Sequence, residues 1–336
     1  MRKNLAEVAA IDSLIEPKQA NASPVPELVT AAALYAKPIV RPRVLLADAS
    51  GYGILVDGLT MLVARPKAGK SWFTLQCGIY VAGGPGIQGV DARDAGLVLY
   101  GALEEGAPRT KARVADIAGE PGEWANRLCF FYELLPLMGG GAEQIENLIE
   151  RMKPRAVFLD TLTALIKGGG GKRETDVFRS QYAEVSALRK IAERFKLPVV
   201  LIHHVRKGTS DSAIEAVAGT GGISAAIDCL WLLKRKPEGE GTLEIVGREV
   251  EEKTLALKFG TAPFGWSVLG DDAALLVSAD RRELLELLRE DGPVTPAQIA
   301  AGLGKSQPSV RMMLKRMRSD LQVVKRDGKY TLPLSL

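Results

Sequence analysis

Histidine and cysteine are scarce in this chain. Its 2 histidines are the adjacent His203 and His204, and its 3 cysteines, Cys77, Cys129 and Cys229, stand far apart in apolar surroundings with no C-x-x-C pair. Such scatter excludes a disulfide framework and implies reduced cysteines inside a core. With no second His or Cys cluster, a metal held by those residue types is not expected either. Long apolar runs are also missing. The stretch from Val44 to Leu55 is broken by Asp48, Gly51 and Gly53, and nothing reaches the roughly 18 to 20 residues that cross a bilayer, so no membrane partner is expected. Met1-Arg2-Lys3 runs into Glu7, Asp12 and Glu16 without the apolar stretch of a secretory signal. The expected address is the cytoplasm.

What is present is the balance of a globular protein. Hydrophobic residues make up 46% and charged residues 25% of the chain, which excludes collagen-like, coiled-coil and wholly disordered classes. At roughly 150 residues per domain, 336 residues give two domains, or a large one with a smaller attachment. Residues 280–336 hold 11 Lys and Arg against 7 Asp and Glu, so they carry the whole net charge of +4. A positive excess confined to one small module points toward nucleic acid.

The chain divides by pattern into three parts. Residues 1–40, punctuated by Pro17, Pro24, Pro26 and Pro38, lack sustained periodicity and form either a flexible N-terminal arm or a segment packed on a neighbouring subunit. Residues 41–275 form an α/β domain. Apolar runs at 59–64, 97–103, 128–132, 156–162 and 198–203 alternate with helical patterns at 70–82, 108–118, 142–152 and 175–195, the signature of a mostly parallel central sheet covered on both faces. Four further runs, at 227–233, 242–246, 254–259 and 265–269, follow without helices and are expected as antiparallel strands. Residues 280–336 show three helices, with Thr295 capping the second and Pro296 at its first position, then two short strands around Asp327-Gly328. That order describes a winged helix-turn-helix.

The strongest motif is Ala64-Arg65-Pro66-Lys67-Ala68-Gly69-Lys70-Ser71, which is G-x-x-x-x-G-K-[ST] with Ala in the first position. It follows a strand and opens a helix, so amides and the positive helix end face an anion. The expected nucleotide-binding set is Arg65, Pro66, Lys67, Ala68, Gly69, Lys70, Ser71 and Trp72, with Asp160. Lys70 would reach the β- and γ-phosphates of ATP, while Ser71 and Asp160, the latter at the end of the apolar run 156–160, would hold Mg²⁺. Glu104 and Glu105 follow another strand. One of them orients and deprotonates the attacking water, Glu104 being preferred as nearer the strand end, unless both sit on a solvated helix start. His204, at the tip of the strand beside Asp160, senses the γ-phosphate or only makes local hydrogen bonds.

Together with Leu103-Glu104-Glu105, Phe158-Leu159-Asp160-Thr161, His203-His204-x-Arg206-Lys207 and Val246-Gly247-Arg248-Glu249-Val250, the loop resembles the RepA-like branch of RecA-fold ATPases, typified by plasmid hexameric replicative helicases. The resemblance covers about residues 50–270. It implies a RecA-like P-loop NTPase core and a homo-hexameric ring with ATP sites between subunits. Arg248 then resembles the catalytic finger supplied by a neighbour, with Arg235 as a second candidate and a solvated surface arginine as the alternative. It also implies that the Gly-rich loop with Lys172 and Arg173, and the loop starting Arg206-Lys207, face a channel and hold single-stranded DNA by its backbone, the alternative being surface loops of no particular role. Neither loop carries an aromatic, so base stacking is not expected. In the tail, Arg311, Lys315 and Arg318 on the third helix and Lys325 and Arg326 in the wing would meet duplex DNA, or a protein partner instead. The expectation is an ATP-hydrolysing, DNA-acting helicase. Its rivals are an ATP-switched regulator on duplex DNA and a recombination ATPase that coats DNA as an open filament.

Overall fold

The computed structural model describes residues 28–39, 41–166, 174–204, 226–236, 239–248, 250–261, 264–270, 279–319, 322–326 and 328–333. The chain divides into two compact units, Met1–Arg41 and Pro42–Leu336. In the first, Ala31–Tyr35 form a short helix whose N-cap, Thr30, accepts the Ala33 N–H on its hydroxyl at 3.2 Å.

In the second unit the strands are β1 (Val44–Asp48), β2 (Gly53–Val56), β3 (Gly58–Ala64), β4 (Val90–Ala92), β5 (Val98–Ala102), β6 (Leu128–Phe131), β7 (Ala156–Asp160), β8 (Pro198–His204), β9 (Cys229–Arg235), β10 (Glu240–Gly247), β11 (Lys253–Thr261) and β12 (Phe264–Gly270). Nine of them form one sheet in the order β12-β11-β10-β9-β3-β8-β7-β5-β6. From β9 to β6 every neighbour is parallel, and β10, β11 and β12 continue the sheet antiparallel. A strand covered on both faces has to be apolar throughout, and β5 and β7 are buried at every residue.

Alternation along β3 sends side chains to two cores. Leu62 and Ala64 join one with Phe73, Leu75 and Ile117, so the helices Lys70–Val81 and Ala107–Ala118 cover that face. Leu59, Met61 and Val63 join the other with Ile145, Ile149, Leu162 and Val185, from helices Gly141–Met152, Leu162–Leu165 and Glu174–Phe195. Strand β8 lies between the strand leading into the Gly69 loop and the strand ending in Asp160. This is the RecA-like α/β core with a mostly parallel sheet that the sequence predicts.

Two features differ from the sequence reading. Strand β9 is antiparallel to β10, as expected, but parallel to β3, so it closes the parallel half of the sheet. A separate sheet, β2-β1-β4, forms where only a broken apolar stretch was legible. Asp48 makes it possible. Its Oδ1 accepts the Ser50 N–H, the Ser50 hydroxyl and the Tyr52 N–H at 2.9, 2.6 and 2.9 Å, a side-chain-stabilised turn that reverses the chain rather than ending a strand.

Farther along, helices Ala279–Asp291, Pro296–Gly302 and Gln307–Ser319 precede a hairpin of β13 (Val324–Arg326) and β14 (Lys329–Thr331). Leu284, Leu288, Ile299, Val310, Leu314, Met317 and Val323 form its core. Thr295 and Gln298 make a reciprocal capping box at the second helix. Val294 bridges to Tyr330, which adds a strand residue to the wing that composition alone did not reveal.

Candidate functional site

The loop between β3 and the helix Lys70–Val81 is tight because two of its residues take left-handed backbone angles, Lys67 at φ 63° and Gly69 at φ 94°. At Gly69 a β-carbon would fall 2.9 Å from the indole Nε1 of Trp266, so only glycine fits. No side chain caps the helix that starts here, which leaves its first amides and positive end facing the cleft. Lys70 is only 4% exposed and donates to the carbonyls of Ala64 and Arg65 at 3.2 and 3.1 Å. Burial pulls its pKa down to about 8, against the opposing pull of Asp160 and Glu104.

Sheet register brings the acids to this loop. Ala102 of β5 pairs with Asp160 of β7, and the Leu103 N–H donates to the Asp160 carbonyl at 2.8 Å, so Glu104 and Glu105 leave the sheet beside Asp160. Burial raises the Asp160 pKa; a hydrogen bond with Ser71 lowers it, and Glu104 and Glu105 raise it further. Ser71 and Asp160 thus present two adjacent hard oxygen donors next to a buried cation, a set that fits Mg²⁺, which takes one or two protein oxygens and completes its shell with phosphate and water.

The two glutamates part company. Glu104 Oε1 accepts the Thr161 hydroxyl at 2.5 Å, and Glu104 Oε2 lies 3.5 Å from Nε2 of His204. Glu105 turns to Arg113, whose Nη2 is 2.6 Å from its Oε1. Ala64 pairs with His204 across β3 and β8, so His204 stands level with the start of the loop. His203 is half-buried, and desolvation, His204 and Lys70 bring its pKa down to about 4. Lys67, Gly69, Lys70, Ser71, Trp72, Glu104, Glu105, Arg113, Asp160, His204 and Arg235 together line a cleft of about 360 Å³.

Sequence reasoning placed Trp72 on this cleft but missed the aromatics that pack behind it. Trp72 packs on Phe264 at 4.4 Å between centroids, and Phe259 meets Phe264 and Trp266 edge-on at 5.3 and 5.1 Å. Arg235 lies 3.9 Å over the Phe259 ring and lines the loop of its own chain. Arg113 was also missed. It lies between buried Thr110 and Ile117 on the inward stripe of its helix, and a charge on a buried stripe is the signal that would have found it.

Other expected residues lie elsewhere. Arg248 follows β10 and is exposed, its N–H donating to the Asp228 carbonyl at 3.0 Å; it does not line this cleft. Lys172, Arg173, Arg206 and Lys207 lie outside the described residues. Arg311, Lys315 and Arg318 are exposed on the third winged-helix element, Lys325 and Arg326 are exposed on β13, and Val310, Leu314 and Met317 are buried.

Residues 27–210 match the family described as AAA domain. Residues 278–320 match the family described as bacterial regulatory protein, arsR family. No curated protein matches the chain. Among solved structures, a KaiC-like protein from the hyperthermophilic archaeon Pyrococcus horikoshii OT3 aligns at 13% identity with a TM-score of 0.48, covering 69% of this chain and all of that one.

Proposed function

We propose, because this chain belongs to the AAA domain family, that it binds and hydrolyses ATP and couples hydrolysis to work on DNA, most specifically as a RepA-like hexameric replicative helicase moving on single-stranded DNA. One observation carries the reading. A buried lysine, a serine–aspartate pair and a positioned glutamate converge at the ends of adjacent parallel strands, around a loop whose amides face the same cleft.

In this reading the loop from Arg65 to Trp72 cradles the phosphates, and Lys70 neutralises charge on the β and γ oxygens. Ser71 and Asp160 would hold Mg²⁺, which when bound withdraws charge from the phosphate oxygens. Glu104 orients the attacking water and takes its proton, held in place by Thr161 and His204. His204 is the last residue of β8, directly before residues 205–225, so a shift at its ring is passed into the segment carrying Arg206 and Lys207. Between subunits of a ring, Arg248 would complete the neighbour's site, and such a finger is worth about 10³ to 10⁵ in rate. Residues 41–275 act as the motor and residues 280–336 as the DNA- or partner-recognition module, in the cytoplasm; no described helix is long and apolar enough to cross a membrane.

The deciding experiment is strand displacement on a forked duplex with ATP and Mg²⁺, with Lys70→Ala as control. Unwinding by the wild type alone supports the helicase; nucleotide turnover without unwinding ends that assignment and leaves the ATPase. A second reading, an ATP-switched regulator on duplex DNA, is favoured by the arsR-family match over residues 278–320. It expects slow turnover indifferent to single-stranded DNA, and sequence-specific duplex binding that disappears when residues 280–336 are deleted.

A further inference from the structure

We propose that Arg113 contacts the terminal phosphate of a nucleoside triphosphate bound in its own subunit, and that Glu105 and Trp72 position its guanidinium for that contact. The inference rests on the nucleotide-binding reading above and adds to it a cation within the same chain that the loop motif does not contain.

Arg113 is the charged member of an otherwise inward stripe, Thr110, Arg113 and Ile117, so the helix Ala107–Ala118 aims it toward the sheet instead of solvent. Only 22% of its side chain is exposed. It lines the cleft with Lys70, Ser71, Asp160, Glu104 and His204, and with Ser71, Tyr100, Glu105 and Asp160 it lines a narrower crevice alongside. The guanidinium is held on two sides. Glu105 Oε1 lies 2.6 Å from Nη2, and the guanidinium carbon lies 5.3 Å from the centre of the Trp72 ring. The second contact joins the arginine to the helix that follows the phosphate loop.

Charge counting then gives the arginine a use. Asp160, Glu104 and Glu105 gather three carboxylates in the cleft, with Lys70 and Arg113 as the cations among them and Arg235 and Lys67 also on the wall. A structural ion pair in a half-buried site roughly breaks even against its desolvation, so stability alone is a weak reason for placing one here. A guanidinium carries five N–H donors in a planar fork that matches phosphate oxygens, and among the described residues Glu105 is its one ion-pair partner. Glu105 therefore orders the side chain and leaves donors for an anion. This also separates the roles of the two glutamates, since Glu105 serves Arg113 while Glu104 serves water.

Calorimetric titration of the full chain in Mg²⁺ with ADP, and separately with a non-hydrolysable ATP analogue, tests the proposal. Arg113→Ala is expected to weaken the analogue at least tenfold and to leave ADP within about twofold. Arg113→Lys, which keeps the charge and loses the fork, should fall between. Arg113→Gln, which keeps a donor for Glu105, supplies the same reading where the alanine variant fails to fold. The double variant Glu105→Gln, Arg113→Ala should bind the analogue no more weakly than Arg113→Ala alone. Equal weakening of ADP and analogue in the Arg113 variants, or no change in either, overturns the assignment. Loss of the nucleotide reading itself would show differently, as a Lys70→Ala protein that binds both nucleotides like the wild type.

Discussion

Trp266 donates its indole N–H to the carbonyl oxygen of Gly69 at 3.1 Å, which ties the last strand of the sheet to the phosphate loop. Gln76 strengthens the tie, giving its Nε2 proton to the Trp266 carbonyl at 3.0 Å and accepting the Trp266 N–H at 2.7 Å. The antiparallel strands are therefore part of the site as well as an extension of the sheet. Trp266→Phe keeps the ring and removes the donor. A single hydrogen bond is worth about 1 kcal/mol, so a small loss of thermal stability and several-fold weaker nucleotide binding are expected. Gly69→Ala forces a β-carbon against that indole at a left-handed φ of 94°, and nucleotide binding should disappear while the circular dichroism spectrum stays native. Normal nucleotide affinity in Gly69→Ala would contradict the geometry.

Lys70 sets the pH dependence of nucleotide binding. Its pKa in the free cleft is drawn down to about 8 by burial, and phosphate favours the ammonium form, so bound nucleotide raises that pKa. Affinity should be flat below pH 8 and fall above it, approaching tenfold per unit. Because the folded-state pKa lies below the unfolded one, folding of the free protein gains from this group as pH rises from about 8 to 10.5. Titration calorimetry between pH 7 and 9.5 checks the first claim. A flat profile there would show that Lys70 is not the phosphate cation.

Glu104→Gln should bind ATP as tightly as the wild type and turn it over at least about a hundredfold more slowly, the loss usual when a proton acceptor is removed. Its Thr161 hydrogen bond survives the change, so the fold should not suffer. Single-turnover hydrolysis beside analogue binding separates the two effects, and turnover within threefold of wild type would move the base role elsewhere.

His203 makes stability pH-dependent in acid. Half-buried beside His204 and Lys70, it has a pKa of about 4 against an ordinary 6.5, so the unfolded chain takes up a proton before the folded one does. The contribution is complete above pH 6.5 and is lost as pH falls toward 4, at about 1.4 kcal/mol per unit. Urea unfolding of the wild type and His203→Gln across that range should show the wild type losing the extra stability. Parallel pH profiles for the two proteins would count against an imidazole held neutral by the fold.

The strands that carry the loop, Asp160 and His204 were legible because a parallel strand buried on both faces must be apolar throughout, and such runs end where polar chemistry begins. The winged helix was legible from its caps, Thr295 and Pro296 foremost. What escaped is what depends on distant partners. Asp48, Gly51 and Gly53 look like breaks in a sequence, and only Lys253, 205 residues on and 2.7 Å from Asp48, shows that they build an anchored turn. Arg113 is held in the cleft by Glu105 and Trp72, and Phe264 and Trp266 support its wall from behind through Trp72 and Gly69. No spacing rule within one segment could join them.

Arg311, Lys315 and Arg318 follow one another at helical spacings of four and three, all exposed, while Val310, Leu314 and Met317 face the core. Charge on a single solvent face is what backbone contacts to DNA require, and each phosphate neutralised adds about 0.9 to the slope of log affinity against log salt. Alanine at any one of the three should weaken duplex binding about equally on all sequences and reduce that slope by roughly 0.9, with no loss of stability since the side chains leave the core untouched. Fluorescence anisotropy over a salt series measures it. A slope unchanged in all three variants would take DNA off this helix and leave the face to a protein partner, for which the exposed Met312 between Arg311 and Lys315 already offers an apolar contact.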